Sequence, residues 1–82
     1  MGMHRIMVIR VGQRLANAEH LQGILSRFGC IIKVRLGLHE AGDACAPDGL
    51  IVLQLTQGDA EPNELLEQLN LLPGIQAKLV EI

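Results

Sequence analysis

Four short apolar runs and two amphipathic stretches, in the order strand, helix, strand, strand, helix, strand, predict an α+β domain of ferredoxin-like βαββαβ topology. Three observations carry that prediction. The chain opens and closes on runs rich in β-branched residues, its two helical stripes each follow a strand, and the links between elements are short. In this topology four antiparallel strands take the order 4-1-3-2, and both helices lie on one face of the sheet.

The first run, Arg5-Ile6-Met7-Val8-Ile9-Arg10-Val11, reads as a buried strand ended by Gly12. A helix follows, with Ala18, Leu21, Ile24, Leu25 and Phe28 on one stripe. Asn17 is placed to cap it, Glu19 suits the positive end of the helix dipole, and Gly29 reads as a left-handed stop. The second strand then alternates. Ile32, Val34, Leu36 and Leu38 are expected on the core face, and Lys33, Arg35, Gly37 and His39 on the opposite one. A turn-rich segment, residues 40–49, leads to a third strand from Leu50 to Thr56. Gly58 and Asp59 introduce a second helix, with Pro62 in its first turn and Leu65, Leu66, Leu69 and Leu72 on one face. Pro73-Gly74 ends that helix, and residues 75–82 form the last strand.

At 82 residues this is a single small domain, residues 1–82, with 49% hydrophobic residues. Phe28 is its only aromatic residue, so aliphatic side chains must build the core. A formal net charge of −2 lacks the concentrated basic surface that direct nucleic-acid binding needs. No apolar run approaches the roughly 20 residues that span a bilayer, and Arg5 and Arg10 break up any leader-like core. Two cysteines without paired spacing, Cys30 and Cys45, fit a reducing cytoplasm. Cys30 is expected to be a small buried hydrophobe.

The strand compositions also predict assembly. Ile6, Met7, Val8 and Ile9 are consecutive in the first strand, and Leu50, Ile51, Val52 and Leu53 in the third. Both strands are therefore apolar on both faces, although helices cover only one. An uncovered apolar face marks an interaction surface, so a homodimer or homotetramer is expected. Lys33, Arg35, Gln54, Gln76 and Lys78 are the residues that could dilute such a patch in a monomer.

The candidate site lies on and around the second strand. Arg35 could receive an anion or carboxylate, with Gly37 letting a ligand or partner backbone approach. Charge on an edge strand equally serves to block aggregation, the preferred reading for Lys33. Gly12 could open a ligand-binding turn at a helix N-terminus, and His39 ends the strand beside the turn-rich segment. His39, Asp43 and Cys45 lack the paired spacing of a metal site, so no metal is assigned, and no motif specifies a cofactor. An RNA-recognition motif needs strand aromatics, and none is present. Gly12-Gln13-Arg14 is a poor phosphate-cradling loop, and the third strand has Gln54 but no asparagine, which ranks an acylphosphatase-like enzyme last.

Arg5-Ile6-Met7-Val8-Ile9, Phe28-Gly29-Cys30-Ile31-Ile32, Arg35-Leu36-Gly37-Leu38 and Leu72-Pro73-Gly74-Ile75 together resemble the iron-only hydrogenase system regulator family. The resemblance implies an ACT-like oligomeric domain, related in fold to the ligand-sensing half of the nickel-responsive repressor. Arg35 and Gly37 match that family's arginine-hydrophobe-glycine element, whereas His39-Glu40 departs from the expected continuation. The expectation is a stand-alone, non-enzymatic regulatory module that binds a small ligand or a partner protein. A structural scaffold without a ligand is the alternative.

Overall fold

Among the described residues, four seven-residue strands, β1 (Arg5–Val11), β2 (Ile32–Leu38), β3 (Gly49–Leu55) and β4 (Ile75–Glu81), form one antiparallel sheet in the order β2-β3-β1-β4. The computed structural model describes residues 4–12, 18–38, 49–56 and 60–82. Its elements are β1 (Arg5–Val11), α1 (Ala18–Arg27), a 3-10 turn (Gly29–Ile31), β2 (Ile32–Leu38), β3 (Gly49–Leu55), α2 (Glu61–Asn70) and β4 (Ile75–Glu81). The order of elements and of strands is that of the ferredoxin-like α+β fold.

One face of the sheet makes the core. Met7, Ile9 and Val11 of β1 stand opposite Leu53, Ile51 and Gly49 of β3, and opposite Leu79, Ala77 and Ile75 of β4. Leu21 and Leu25 of α1 and Leu65 and Leu69 of α2 close over them, joining the same buried cluster. The i, i+4 spacing of each leucine pair sets both on one side of its helix. Pro62 is buried in the first turn of α2, where its missing N–H has no helical acceptor to forgo. Leucine, isoleucine, valine and methionine fill this core, as the near absence of aromatics requires.

The junction between α1 and β2 departs from expectation. Gly29 does not stop the helix in a left-handed conformation. α1 ends at Arg27, and residues 29–31 wind into a 3-10 turn. Among the described residues, the glycine at positive φ is Gly74, at +79°, between α2 and β4. The turn buries Ile31 and leaves Cys30 exposed, so Cys30 is not the small buried hydrophobe its position suggests. Hydrogen bonding resumes at once, since the Thr56 N–H donates to the Ile31 carbonyl at 2.8 Å.

The larger correction concerns the faces of β2. Ile32 pairs with Leu55, but Val34 pairs with Gln54, so Lys33 is the extra residue of a β-bulge. A bulge reverses the alternation beyond it. Arg35 therefore stands opposite the buried Leu53, and Gly37 opposite Ile51, on the helix-bearing face. Val34 and Leu36 stand opposite Gln54 and Val52 on the other face, and each is 52% exposed. Of the expected core set, Ile32 faces the core, and Val34 and Leu36 do not.

Candidate functional site

Two features of the described residues stand out: the Arg35 region on the helix side, and the open face of the sheet. Arg35 reaches toward α1, where its Nη2 donates to Gln22 Oε1 at 2.7 Å. Both side chains are exposed, so one edge of the guanidinium is positioned by Gln22 while the group remains in solvent. Gly37 lies two residues further on the same side of β2, and a Cβ built there meets no atom within 4 Å. The strand thus presents a bidentate cation beside a stretch of bare backbone, an arrangement suited to a carboxylate or phosphate.

Gly12 lies at the same end of the sheet but is committed elsewhere. Its N–H donates to the Gly74 carbonyl at 2.8 Å, and a Cβ on Gly74 would sit 2.9 Å from the Gly12 carbonyl oxygen. The two glycines fasten the turn after β1 to the turn before β4. Two strand spacings, about 10 Å, separate β1 from β2, so Gly12 does not converge with Arg35. His39 lies outside the described residues, as do Asp43 and Cys45. Among the described residues, no group of three or more His, Cys, Asp or Glu side chains could hold a metal ion.

A shallow cleft of about 450 Å³ opens between the end of α1 and the outer side of α2, lined by Arg27, Phe28, Glu64, Glu67 and Gln68. Arg27 lies over the Phe28 ring, 5.7 Å from its centroid, and its Nη2 donates to Gln68 Oε1 at 3.5 Å. The Arg27–Gln68 contact joins the two helices across the cleft.

The open face carries the feature that an isolated domain leaves unexplained. Val34 and Leu36 of β2, Leu50 and Val52 of β3, Ile6 and Val8 of β1 and Val80 of β4 share it, as the strand registers require. Leu50 is 37% and Val80 43% exposed. Polar groups share the face: Gln54 Nε2 lies 3.2 Å from His4 Nδ1, and Arg10 Nη1 donates to Gln76 Oε1 at 3.3 Å. Sequence alternation anticipates the β1 and β3 part of this surface. It misses β2, because Val34 and Leu36 belong to the core face unless the bulge is known. The adjacent pair Ile31-Ile32 is the available signal, since two successive inward residues need a break in alternation.

No known family model matches this chain, and no curated protein matches it either. Solved structures do match. An uncharacterized protein from Thermotoga maritima superposes with a TM-score of 0.83 at 21% sequence identity, over 100% of this chain and 99% of that one. The likeness is one of fold. It extends along the whole chain and includes both halves of the βαββαβ order. No helix among the described residues is long and apolar enough to cross a membrane.

Proposed function

We propose that this protein is an ACT-like regulatory module that acts through homo-oligomerisation in the cytoplasm, in the service of iron-only hydrogenase regulation. The observation that carries the reading is the apolar open face: seven aliphatic side chains across all four strands, on the side without helices. A monomer rarely keeps a contiguous apolar patch of more than a few hundred Å² in water. Association that buries it, at about 25 cal/mol per Å², gives a small domain the second hydrophobic layer its size denies it.

Ligand sensing follows from linkage. A ligand that binds one assembly better than another shifts their populations by its difference in affinity, and a partner protein reads the result. Arg35 and Gly37 are the residues proposed to meet that ligand, a small anion or carboxylate. The non-enzymatic reading follows from the sequence, in which Gly12-Gln13-Arg14 is a poor phosphate-cradling loop. Nucleic acid is not a direct partner in this proposal, and any effect on transcription passes through another protein.

The test is a thermal-shift screen of small carboxylates, nucleotides and divalent metals, paired with light scattering. Stabilisation by a ligand that also changes the assembly mass supports sensing. A stable oligomer indifferent to all of them supports the scaffold alternative. A strict monomer across micromolar concentrations removes both.

A further inference from the structure

The two edges of this sheet differ in what their outward backbone groups do. His4 and Ile82 exchange both of their backbone bonds. Antiparallel pairs alternate with a period of two, so Ile6, Val8 and Arg10 bond to β4, while Met7 and Ile9 bond to β3. The alternation carries across β3, whose Gln54 and Val52 turn to β2 and bond Val34 and Leu36. The N–H and C=O of Arg35 and Gly37 consequently point away from the sheet. By the same count Ile75 and Ala77 point outward from β4, but their groups are engaged. The Ile75 N–H donates to the Leu72 carbonyl, and the Asn70 side chain takes both groups of Ala77. The first half of the β4 edge is therefore closed. The outward groups of Arg35 and Gly37 have no such cover among the described residues, and residues 33–37 are exposed throughout.

We infer that the β2 edge takes an extended acidic segment of a partner protein as a fifth, antiparallel strand. The inference rests on the reading of Arg35 and Gly37 as the recognition site, and it names the partner of that site. A strand laid here exchanges two bonds with Arg35 and two with Gly37. In strand addition, main-chain bonds of this kind give affinity and the alternate side chains give specificity.

Charge selects the occupant. Residues 32–38 include Lys33 and Arg35 and no carboxylate. The Gln22 amide positions the Arg35 guanidinium without neutralising it. A second copy of β2, paired so that Arg35 meets Gly37, would set its own arginine diagonal to the first. Diagonal neighbours lie within reach of long side chains, so the like charges repel. An acidic residue opposite Arg35 shares the helix-bearing face with it and makes a cross-strand ion pair instead.

The register specifies the rest of the segment. The residue two before the acid stands opposite Gly37, where a Cβ would meet nothing within 4 Å. A large side chain fits there, lying across the bare backbone. The residues just before and just after the acid fall on the open face beside Leu36 and Val34, each 52% exposed, and are aliphatic. From its N-terminus, the segment reads large, aliphatic, acidic, aliphatic. The bulge at Lys33 breaks the ladder and bounds the site at one end.

The experiment titrates isotope-labelled protein with a blocked Thr-Phe-Val-Glu-Val-Thr peptide and follows the backbone amides by NMR. Saturable shifts centred on the Arg35 and Gly37 amides are the expected result. Replacing the peptide's glutamate by lysine should weaken binding about tenfold. Methylating the amide nitrogen of that glutamate removes its bond to the Arg35 carbonyl and should abolish binding. Arg35→Glu, checked for fold by circular dichroism, should prefer the lysine peptide. An N-methylated peptide that binds as well as its parent overturns the added strand and leaves the Arg35–carboxylate contact standing. Equal binding of the glutamate and lysine peptides, unchanged in Arg35→Glu, overturns both. A wild type indifferent to every peptide but stabilised by small carboxylates overturns the strand alone, and one indifferent to both classes overturns the site as well. Slow amide exchange at Arg35 and Gly37 without peptide, lost on dilution, gives the edge to a second copy and overturns the inference too.

Discussion

Asn70 and Ala77 are joined twice: the Ala77 N–H donates to Asn70 Oδ1 at 2.9 Å, and Asn70 Nδ2 donates to the Ala77 carbonyl at 3.2 Å. The last residue of α2 thereby imitates one residue of a fifth strand. An amide is the side chain that can do this, since it carries a donor and an acceptor side by side. Asn70→Ala should lower stability by about 1–3 kcal/mol, because two partly buried backbone groups lose their partners. Urea unfolding checks the size of the loss. Asn70→Asp, which keeps only the acceptor, should fall between the two, and a wild-type midpoint for Asn70→Ala would show that water replaces the clamp at no cost.

Gly74 has two independent reasons to be glycine: its φ of +79°, and the Gly12 carbonyl oxygen 2.9 Å from where a Cβ would stand. Gly74→Ala should cost about 2–4 kcal/mol, combining backbone strain with displacement of a hydrogen-bonded turn. Gly23 makes the contrast. It lies within α1, is exposed, and a Cβ there meets nothing within 4 Å. Gly23→Ala should therefore raise stability by up to about 1 kcal/mol. Thermal melts of the pair should move in opposite directions.

Leu65 and Leu71 separate core from surface within one turn and a half of chain. Leu65 is fully buried, and Leu71 is 75% exposed. Leu65→Ala should cost about 2–5 kcal/mol through lost burial and the cavity it leaves. Leu71→Ala should stay within about 0.5 kcal/mol. A large loss at Leu71 would mean that an assembly covers it, and concentration-dependent melting would then reveal that.

Arg35→Ala should leave the melting temperature of the ligand-free protein nearly unchanged, since the bond it loses to Gln22 is exposed. The stabilisation given by an anionic ligand should vanish in that variant. Gly37→Ala should fold normally, because its new methyl enters open space, yet should also weaken that ligand. Retention of the full ligand-induced shift in both variants would remove Arg35 and Gly37 from the site.

Much of this architecture is legible in the sequence because hydrophobic periodicity and topology act together. β1 and β3 read correctly from Ile6-Met7-Val8-Ile9 and Leu50-Ile51-Val52-Leu53, since a strand that is apolar on both faces looks the same in either register. α2 reads correctly because Pro62 and the Leu65/Leu69 spacing mark its start and its inner side. β2 is different. Its assignment depends on parity, and a bulge of one residue inverts parity without changing composition. The sequence assigns Arg35, Gly37, Val34 and Leu36 to the right strand and to the opposite face. Gly29 misleads for a related reason: glycine permits a left-handed stop but does not demand one, and burial of Ile31 is better met by the 3-10 turn. The Gln22–Arg35 and Asn70–Ala77 contacts depend on where helices lie over strands, which no local pattern encodes.

The pairing of β1 with both β3 and β4 also sets a timetable for synthesis. Residues 4 and 82 exchange backbone hydrogen bonds, His4 N–H to the Ile82 carbonyl at 2.8 Å and Ile82 N–H to the His4 carbonyl at 2.9 Å. Until β4 is available, β1 can zip to β3 but has nothing to bond along its other side. That row of amides stays wet until Ile75–Glu81 emerges from the exit tunnel, some 70 residues after the strand that awaits it. The sheet is therefore completed only once its last strand is free to pair with β1.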